Sequence, residues 1–363
     1  MSAAPPAPPA PPAPPALPPL PGSLRPRVAH WLWWSHHLLA RVARAVLLPP
    51  ALLHRGAMIA RAAGYRWGWL RTKALPLPAV AIGNLAVGGA GKTPLAAWVA
   101  AFYAQRGLRP GILLRGYGAD EHRVHERLVP GAVVVPDPDR AAGAERAREA
   151  GAQVLVLDDA YQRLDVARDL NIALLNTENA RAAPWPLPAG PWREGWGALR
   201  RADLIVVTRR RAPAYEARRL AQQLAAQWPA TPVASVHLAL HGFEGMRTRR
   251  QAKAAELAGK RVIVAAGIAD PTSFAVQVRA SGAIVQLVAY QDHHPYPPAD
   301  VAHLVQAGRG ADYVVVTEKD AVKLRDRWPA DVPEPLVAVL RVHWELNGEA
   351  VERALEGILR RPL

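Results

Sequence analysis

The sequence predicts an α/β fold in which short parallel strands alternate with helices. Three observations carry that expectation. Apolar runs recur along the chain with stretches of helical periodicity between them, which is the pattern of a parallel sheet covered by helices. Half of the residues are apolar, and Gly and Pro punctuate the runs. The strand candidates fall into two series, and 363 residues suffice for two domains. The expected division is 1–25, a Pro/Ala-rich tail; 26–70, a helical segment; 71–240, the larger α/β domain; and 241–363, a smaller α/β domain. The boundary is placed in the polar stretch around residues 235–250.

Residues 1–22 repeat proline and alanine and have no core-forming surface, so an extended tail is expected. The stretch lacks the basic start and apolar run of a secretory signal. Residues 28–70 interleave Trp31, Trp33, Trp34, Leu38, Leu39 and Val42 with His36, His37, Arg41 and Arg44. Pro49 and Pro50 are expected to break this segment into two helical pieces. Neither piece is long and charge-free enough to span a bilayer. A basic, Trp-bearing apolar helix suits the membrane interface. A helix docked on the domain through its tryptophans is the other reading.

From residue 78 the pattern becomes strand, loop, helix. "PAVAIGN" reads as a buried strand, and Leu95, Trp98, Val99 and Phe102 form the apolar stripe of the helix that follows. Gly107 stands where that helix stops. Further strands are expected at 111–114, 133–135, 154–157, 172–175 and 204–207. The second series is expected at 262–265, 284–288 and 313–316.

Between the strand and the helix lies "AVGGAGKT", Ala86 to Thr93. Small residues let backbone N–H groups of Ala86, Val87, Gly88, Gly89, Ala90 and Gly91 curl around phosphate oxygens, and the helix N-terminus adds partial positive charge. Lys92 reaches the outer phosphates, the Thr93 hydroxyl is placed to ligate Mg²⁺, and Pro94 suits the first helical turn. The strict phosphate-loop pattern asks for glycine at position 86, where this chain has alanine. A second element, "VLVLDDAYQRL", ends an apolar strand in Asp158 and Asp159. Beside a phosphate loop such carboxylates read as a Mg²⁺ site; a capping aspartate is the alternative.

There is no cysteine, which excludes disulfides and thiolate metal sites and fits a reducing compartment. The net charge of +15 points to anionic partners: nucleic acid, an anionic membrane or phosphorylated substrates. No aromatic RNA-binding signature or helix-turn-helix pattern accompanies it, so nucleic acid is not expected as a partner. Lysine occurs only six times against a strong arginine bias, and one of the six is Lys92. A compact charge on a flexible stem is a role that a guanidinium cannot copy.

Taken in order, "AIGNLAVGGAGKTP", "LLRGYG" (113–118), "LDDAYQRLDVARDLNIALLN" (157–176), "PLPAGPWREGWGALRRADLIVVTR" (186–209), "AAGIADPTSF" (265–274), "YQDHHPY" (290–296) and "VVVTEKDAVK" (314–323) resemble the tetraacyldisaccharide 4'-kinases of lipid A biosynthesis from about residue 28 onward. The resemblance implies a P-loop domain and a smaller α/β domain with the active site between them, and an N-terminal membrane-associating helix. It implies transfer of the γ-phosphoryl of ATP, with Mg²⁺, to the 4'-hydroxyl of a tetraacylated glucosamine disaccharide 1-phosphate. The expected location is the cytoplasmic face of the Gram-negative inner membrane. Family members usually carry Ser or Thr where Ala86 stands. Asp120 matches the aspartate that acts on the acceptor hydroxyl, with Ala119 in place of the family's glycine, and Glu121 joins the expected metal set with Thr93, Asp158 and Asp159. Asp292-His293 match an Asp-His pair near that aspartate, and the adjacent His294 leaves the register open by one residue. Lys92, Asp120 and His293 are thus the expected catalytic residues. Lys319 and Lys323, four apart, are placed to face the cleft. A membrane-bound P-loop NTPase switch or adaptor without a lipid acceptor is the alternative. Oligomeric state is not legible.

Overall fold

The computed structural model describes residues 24–116, 120–268 and 270–360. The Pro/Ala repeat, Tyr117 to Ala119 and Ala269 lie outside the described residues.

Two helices open the described chain, α1 (Leu24–Trp34) and α2 (Leu38–Arg66). The expected break at Pro49-Pro50 is not present: α2 runs through both prolines. Both are exposed, so the carbonyls that lose a donor there face solvent, which satisfies them. The chain breaks instead at Ser35–His37, where the Ser35 hydroxyl accepts from the His37 N–H (3.1 Å) and the His37 ring accepts from the Leu39 N–H (3.3 Å). This is an N-cap, and it starts a new helix. No helix among the described residues is long and apolar enough to cross a membrane.

The larger half contains β1 (Ala79–Asn84), α3 (Lys92–Ala104), β2 (Pro110–Leu114), α4 (Glu121–Leu128), β3 (Val133–Pro136), α5 (Arg140–Glu149), β4 (Val154–Leu157), β5 (Leu170–Asn176), β6 (Leu204–Arg209) and α6 (Ala214–Gln227). Then follow β7 (Val233–Gly245), β8 (Gln251–Lys253), β9 (Arg261–Ala266), α7 (Pro271–Arg279), β10 (Ile284–Ala289), α8 (Pro298–Gly308), β11 (Tyr313–Val316), α9 (Glu318–Leu324), β12 (Leu336–Leu346) and α10 (Gly348–Leu359). All strands join one sheet in the order β10-β9-β11-β12-β7-β6-β5-β1-β4-β2-β3, with β8 against β7.

Every apolar run read as a strand is one, and their pairings are parallel, as buried strands with helical crossovers require. Three strands were not expected. The long β7 occupies the polar stretch where the sequence places a boundary, and pairs parallel with β6 but antiparallel with β8 and β12. Its His237, His241 and Gly242 hide the strand pattern. The sheet therefore passes without interruption from one series to the other. The C-terminal α10 returns to the larger half: Val351, Leu355 and Ile358 pack in the same core as β1 and α3, and the Tyr103 hydroxyl donates to the Leu355 carbonyl at 3.0 Å.

Burial fixes the position of the glycine-rich loop 86–93. Val80 and Ile82 of β1 are fully buried in one core with Leu95 and Val99 of α3. Each such side chain contributes about 1.5–3 kcal/mol relative to exposure. Strand and helix are thereby clamped, and the loop between them is held over the C-terminal edge of the sheet, where open α/β folds bind ligands.

Candidate active site

β1 lies between β5 and β4, so the loop 86–93 emerges beside Asp158 and Asp159 at the end of β4. Gly91 begins α3 with φ +84°, and Gly88 has φ +119°. Side chains at both positions would be strained. A Cβ on Gly91 would also lie 2.2 Å from a Leu238 methyl. Loop carbonyls are occupied: Ala86 by the Asn84 amide, Val87 by the Asn179 amide (3.4 Å) and Ala90 by the Thr208 hydroxyl (2.9 Å). Leu95 donates the first bond of the α3 ladder, to Gly91, so the N–H groups of Lys92 and Thr93 stand ahead of it. The result is a small-residue cradle with donors at a helix start, suited to an anion. Two of its donors are already engaged, the Val87 N–H with Pro191 (2.7 Å) and the Ala90 N–H with Gly88 (2.9 Å).

Lys92 crosses from this loop to the aspartate pair. Its ammonium lies 3.2 Å from the Asn84 side-chain oxygen and 3.5 Å from Asp159. Asp159 has φ +51° and also accepts from Arg193 at 3.1 Å. The two aspartates differ sharply. Asp159 is partly exposed and doubly ion-paired, whereas Asp158 is buried and one of its oxygens meets the His125 ring at 3.0 Å. Burial pushes the Asp158 carboxyl up, but His125, Lys92 and Lys319 outweigh that and hold it low. Its other oxygen, Oδ1, is buried with no hydrogen-bond partner.

That orphaned acceptor is what a cation or its bound water satisfies. Among the described residues no three His, Asp or Glu side chains converge into a metal cage. Mg²⁺ does not need one, since it is held through one or two carboxylates together with phosphate oxygens and water. The residues fit such a site, with Thr93 and Asp158 as the protein donors.

Helix α4 supplies the remaining groups. Asp120 caps it, Glu121 is its first residue and His125 lies one turn further on the same face. Asp120 is buried, with the Lys323 ammonium of α9 at 2.9 Å and the His293 Nδ1 at 3.7 Å. Neither the Lys323 nitrogen nor the Asp120 Oδ2 completes an aligned hydrogen bond, so their contact is one of charge. Burial raises the Asp120 carboxyl, yet His293 and Lys323 together hold it far below the ordinary range. Asp120 in turn pushes the His293 imidazole up, against partial burial. Burial likewise lifts Glu121; Lys319 opposes that lift and Asp158 adds to it.

His293, not His294, faces Asp120. His294 is stacked on Tyr290 (4.6 Å between centroids) and pairs with Asp300 at 2.7 Å. His293 has φ +59° and its N–H reaches the Gly267 carbonyl at 3.1 Å. Lys323 and Lys319 do face the cleft, the first against Asp120 and the second close enough to shift Glu121, Asp158 and His293. Three contributors were not legible: Asn84 beside Lys92, His125 beside Asp158 and Arg193 beside Asp159. Only His125 carried a signal, its four-residue spacing from Glu121.

The chain matches the profile of the family described as "Tetraacyldisaccharide-1-P 4'-kinase" over residues 43–131 and 120–360. The chain belongs to the tetraacyldisaccharide-1-P 4'-kinase family. Named relatives extend the likeness over nearly the whole length. A tetraacyldisaccharide 4'-kinase of Anaeromyxobacter sp. (strain Fw109-5) is 36% identical, covering 91% of this chain and 96% of its own. That of Anaeromyxobacter dehalogenans (strain 2CP-1 / ATCC BAA-258) is 38% identical, covering 90% and 94%. Among solved structures, the "apo" form of LpxK from Aquifex aeolicus in complex with ATP is similar, with a TM-score of 0.69 and 25% identity over 87% of this chain and 99% of that one.

Proposed function

We propose that this chain, as a 4'-kinase of its family, transfers the γ-phosphoryl of ATP to the 4'-hydroxyl of a tetraacylated glucosamine disaccharide 1-phosphate, the step that yields the 1,4'-bisphosphate precursor of lipid A. The observation that carries this reading is the use made of α4. One short helix presents His125 to Asp158 beside the phosphate loop, and Asp120 to His293 and Lys323 from the second strand series. A phosphate cradle and a proton-handling pair thus share one cleft.

In this reading residues 71–240 hold the nucleotide and residues 241–363 bring His293 to it. Backbone N–H groups of the loop other than those of Val87 and Ala90 bind the β- and γ-phosphates, and Lys92 offsets charge that develops during transfer. Thr93 and Asp158 hold Mg²⁺, with Asp159 and Glu121 at the rim of the site. When bound, Mg²⁺ supplies positive charge to the phosphate oxygens. The sugar oxygen bonds to the γ-phosphorus while the bond to the β–γ bridging oxygen breaks, with its electron pair leaving on ADP. The hydroxyl proton goes to His293. Asp120, 3.7 Å from the ring, orients and charge-stabilises the imidazole.

The acceptor carries four acyl chains and stays in the bilayer, so the enzyme works at a membrane surface, the cytoplasmic face of the inner membrane. Helix α2 exposes Leu39, Val42, Val46, Leu53 and Ile59 to solvent. It is tied to the site by Arg61, which donates to the Gln162 carbonyl at 3.0 Å, and Gln162 donates to the Asn84 carbonyl at 2.9 Å. An exposed apolar stripe of this size is suited to lying in a membrane interface. The deciding experiment is transfer of label from γ-labelled ATP to a tetraacyl disaccharide 1-phosphate in detergent or vesicles, with wild type, Lys92→Ala and Asp120→Ala. Lipid-dependent transfer that both substitutions abolish supports the reading. ATP turnover indifferent to the acceptor would replace it with a nucleotide-driven switch.

A further inference from the structure

Three consecutive arginines, Arg209, Arg210 and Arg211, run from the last residue of β6 into the loop that follows. The outer two have acidic partners. Arg209 donates to Glu345 at 2.8 Å, and Arg211 meets Asp270 at 3.4 Å. Among the described residues the Arg210 guanidinium has neither a hydrogen bond nor an ion pair, and its Nε is buried. Burial pushes its pKa down, and Glu178 and Asp270 offset only part of that from a distance. A buried guanidinium nitrogen without a partner is costly, and the two terminal nitrogens are not buried with it but stay open to a ligand.

Its surroundings name the ligand. A Cβ built on Gly89 would have the Arg210 guanidinium as its nearest neighbour, with the two terminal nitrogens at 3.5 and 3.7 Å. The guanidinium therefore lies against the backbone of the phosphate loop, at a position where the missing side chain lets it approach. The arginine is also held in place. One oxygen of Glu178 accepts from the N–H groups of Arg210, Arg211 and Ala212 at 2.9, 2.7 and 2.9 Å, and the ring of His237 meets the Arg210 carbonyl at 3.3 Å.

We propose that Arg210 is a further catalytic residue, a guanidinium placed in cis over the phosphate loop to bind the outer phosphates of the nucleotide and offset their charge during transfer. The proposal rests on the kinase reading above. Arg210 gives and takes no proton; it acts through two parallel N–H···O contacts, which a planar fork makes and an ammonium does not. It complements Lys92, which approaches the same phosphates from the helix side.

The test uses the full chain as wild type, Arg210→Ala, Arg210→Lys and, as a local control, Arg211→Ala. Two quantities are read: the thermal shift induced by Mg²⁺-ATP, and the turnover of the lipid acceptor. For Arg210→Ala the ligand-free melting temperature is expected to stay level, since the guanidinium makes no hydrogen bond or ion pair among the described residues. The ATP-induced shift is expected to shrink and kcat to fall by about 10²-fold or more. Arg210→Lys keeps the charge and is expected to lose about tenfold; it carries the comparison if the alanine variant does not fold. Arg211→Ala is expected to match wild type. A kcat within about threefold of wild type for Arg210→Ala with a full ATP shift, against the 10²-fold expected of such a group, overturns the assignment. So does an equal loss in Arg211→Ala. A wild-type chain that binds no ATP and phosphorylates no acceptor defeats the kinase reading itself, and is told apart by that control.

Discussion

The Lys323 ammonium lies 2.9 Å from the Asp120 carboxylate, with the lysine nitrogen and the aspartate buried, although one residue is in α9 and the other caps α4. Removing one member of a buried pair strands the other charge, so Lys323→Met is expected to destabilise the fold by about 3–5 kcal/mol near neutral pH. The sign with pH follows from burial. In wild type the Asp120 carboxyl is depressed, so its contribution is present at neutral pH and is lost only as pH falls through that low value. Without Lys323, only His293 and the backbone still oppose burial, so the carboxyl rises toward its ordinary value and the variant has less stability to lose as pH falls. Denaturant melts of both proteins between pH 7 and about 4 should show the gap narrowing; a constant gap would mean that the pair is not electrostatically coupled.

Asp120 keeps the His293 imidazole above its ordinary value, so the neutral, proton-accepting form becomes available only as pH rises through that elevated pKa. Asp120→Asn removes the carboxylate charge. The acid limb of kcat against pH is then expected to move to lower pH, while the plateau falls by about 10²-fold or more because the imidazole loses its orienting partner and basicity. An unmoved acid limb would place the titrating group elsewhere.

Lys92 is the flexible cation at the start of α3, and Arg193 already shares its Asp159 contact. Lys92→Ala should therefore leave the fold nearly as stable as before. Turnover is expected to fall by about 10²-fold or more, because the charge that offsets the transferring phosphoryl is lost. Single-turnover transfer of labelled phosphate measures this directly, and near-normal transfer would remove Lys92 from the mechanism.

The apolar face of α2 is exposed, and none of its side chains joins a buried cluster among the described residues. Replacing Val42, Val46 and Leu53 together by glutamate is expected to weaken sedimentation with anionic vesicles severalfold or more, through lost apolar burial and added repulsion. The ATP-induced thermal shift should be unchanged. Equal sedimentation before and after would refute membrane docking through this face.

Residues that act through local periodicity were legible in the chain. The buried strands, the stripe on α3 and the Gly-rich turn before Lys92 are set by neighbours a few positions away, and those neighbours are visible in the sequence. The prolines at 49 and 50 misled because a local rule was applied where solvent exposure relaxes it. The antiparallel β7 and β12 escaped notice because their alternating polar residues pair with partners far along the chain, and no local pattern names such a partner.

The candidate site divides in the same way. By itself the sequence determined the glycine-rich turn between strand and helix, the aspartate pair at a strand end and the family, since each depends on residue order alone. Only the tertiary structure decided which histidine meets Asp120, that Asp158 rather than Asp159 keeps an open buried oxygen, and that Arg210 stands unpartnered over Gly89. The reason is physical: burial and charge pairing depend on which distant segments the sheet order brings together, and that order is set by packing rather than by any short run of residues.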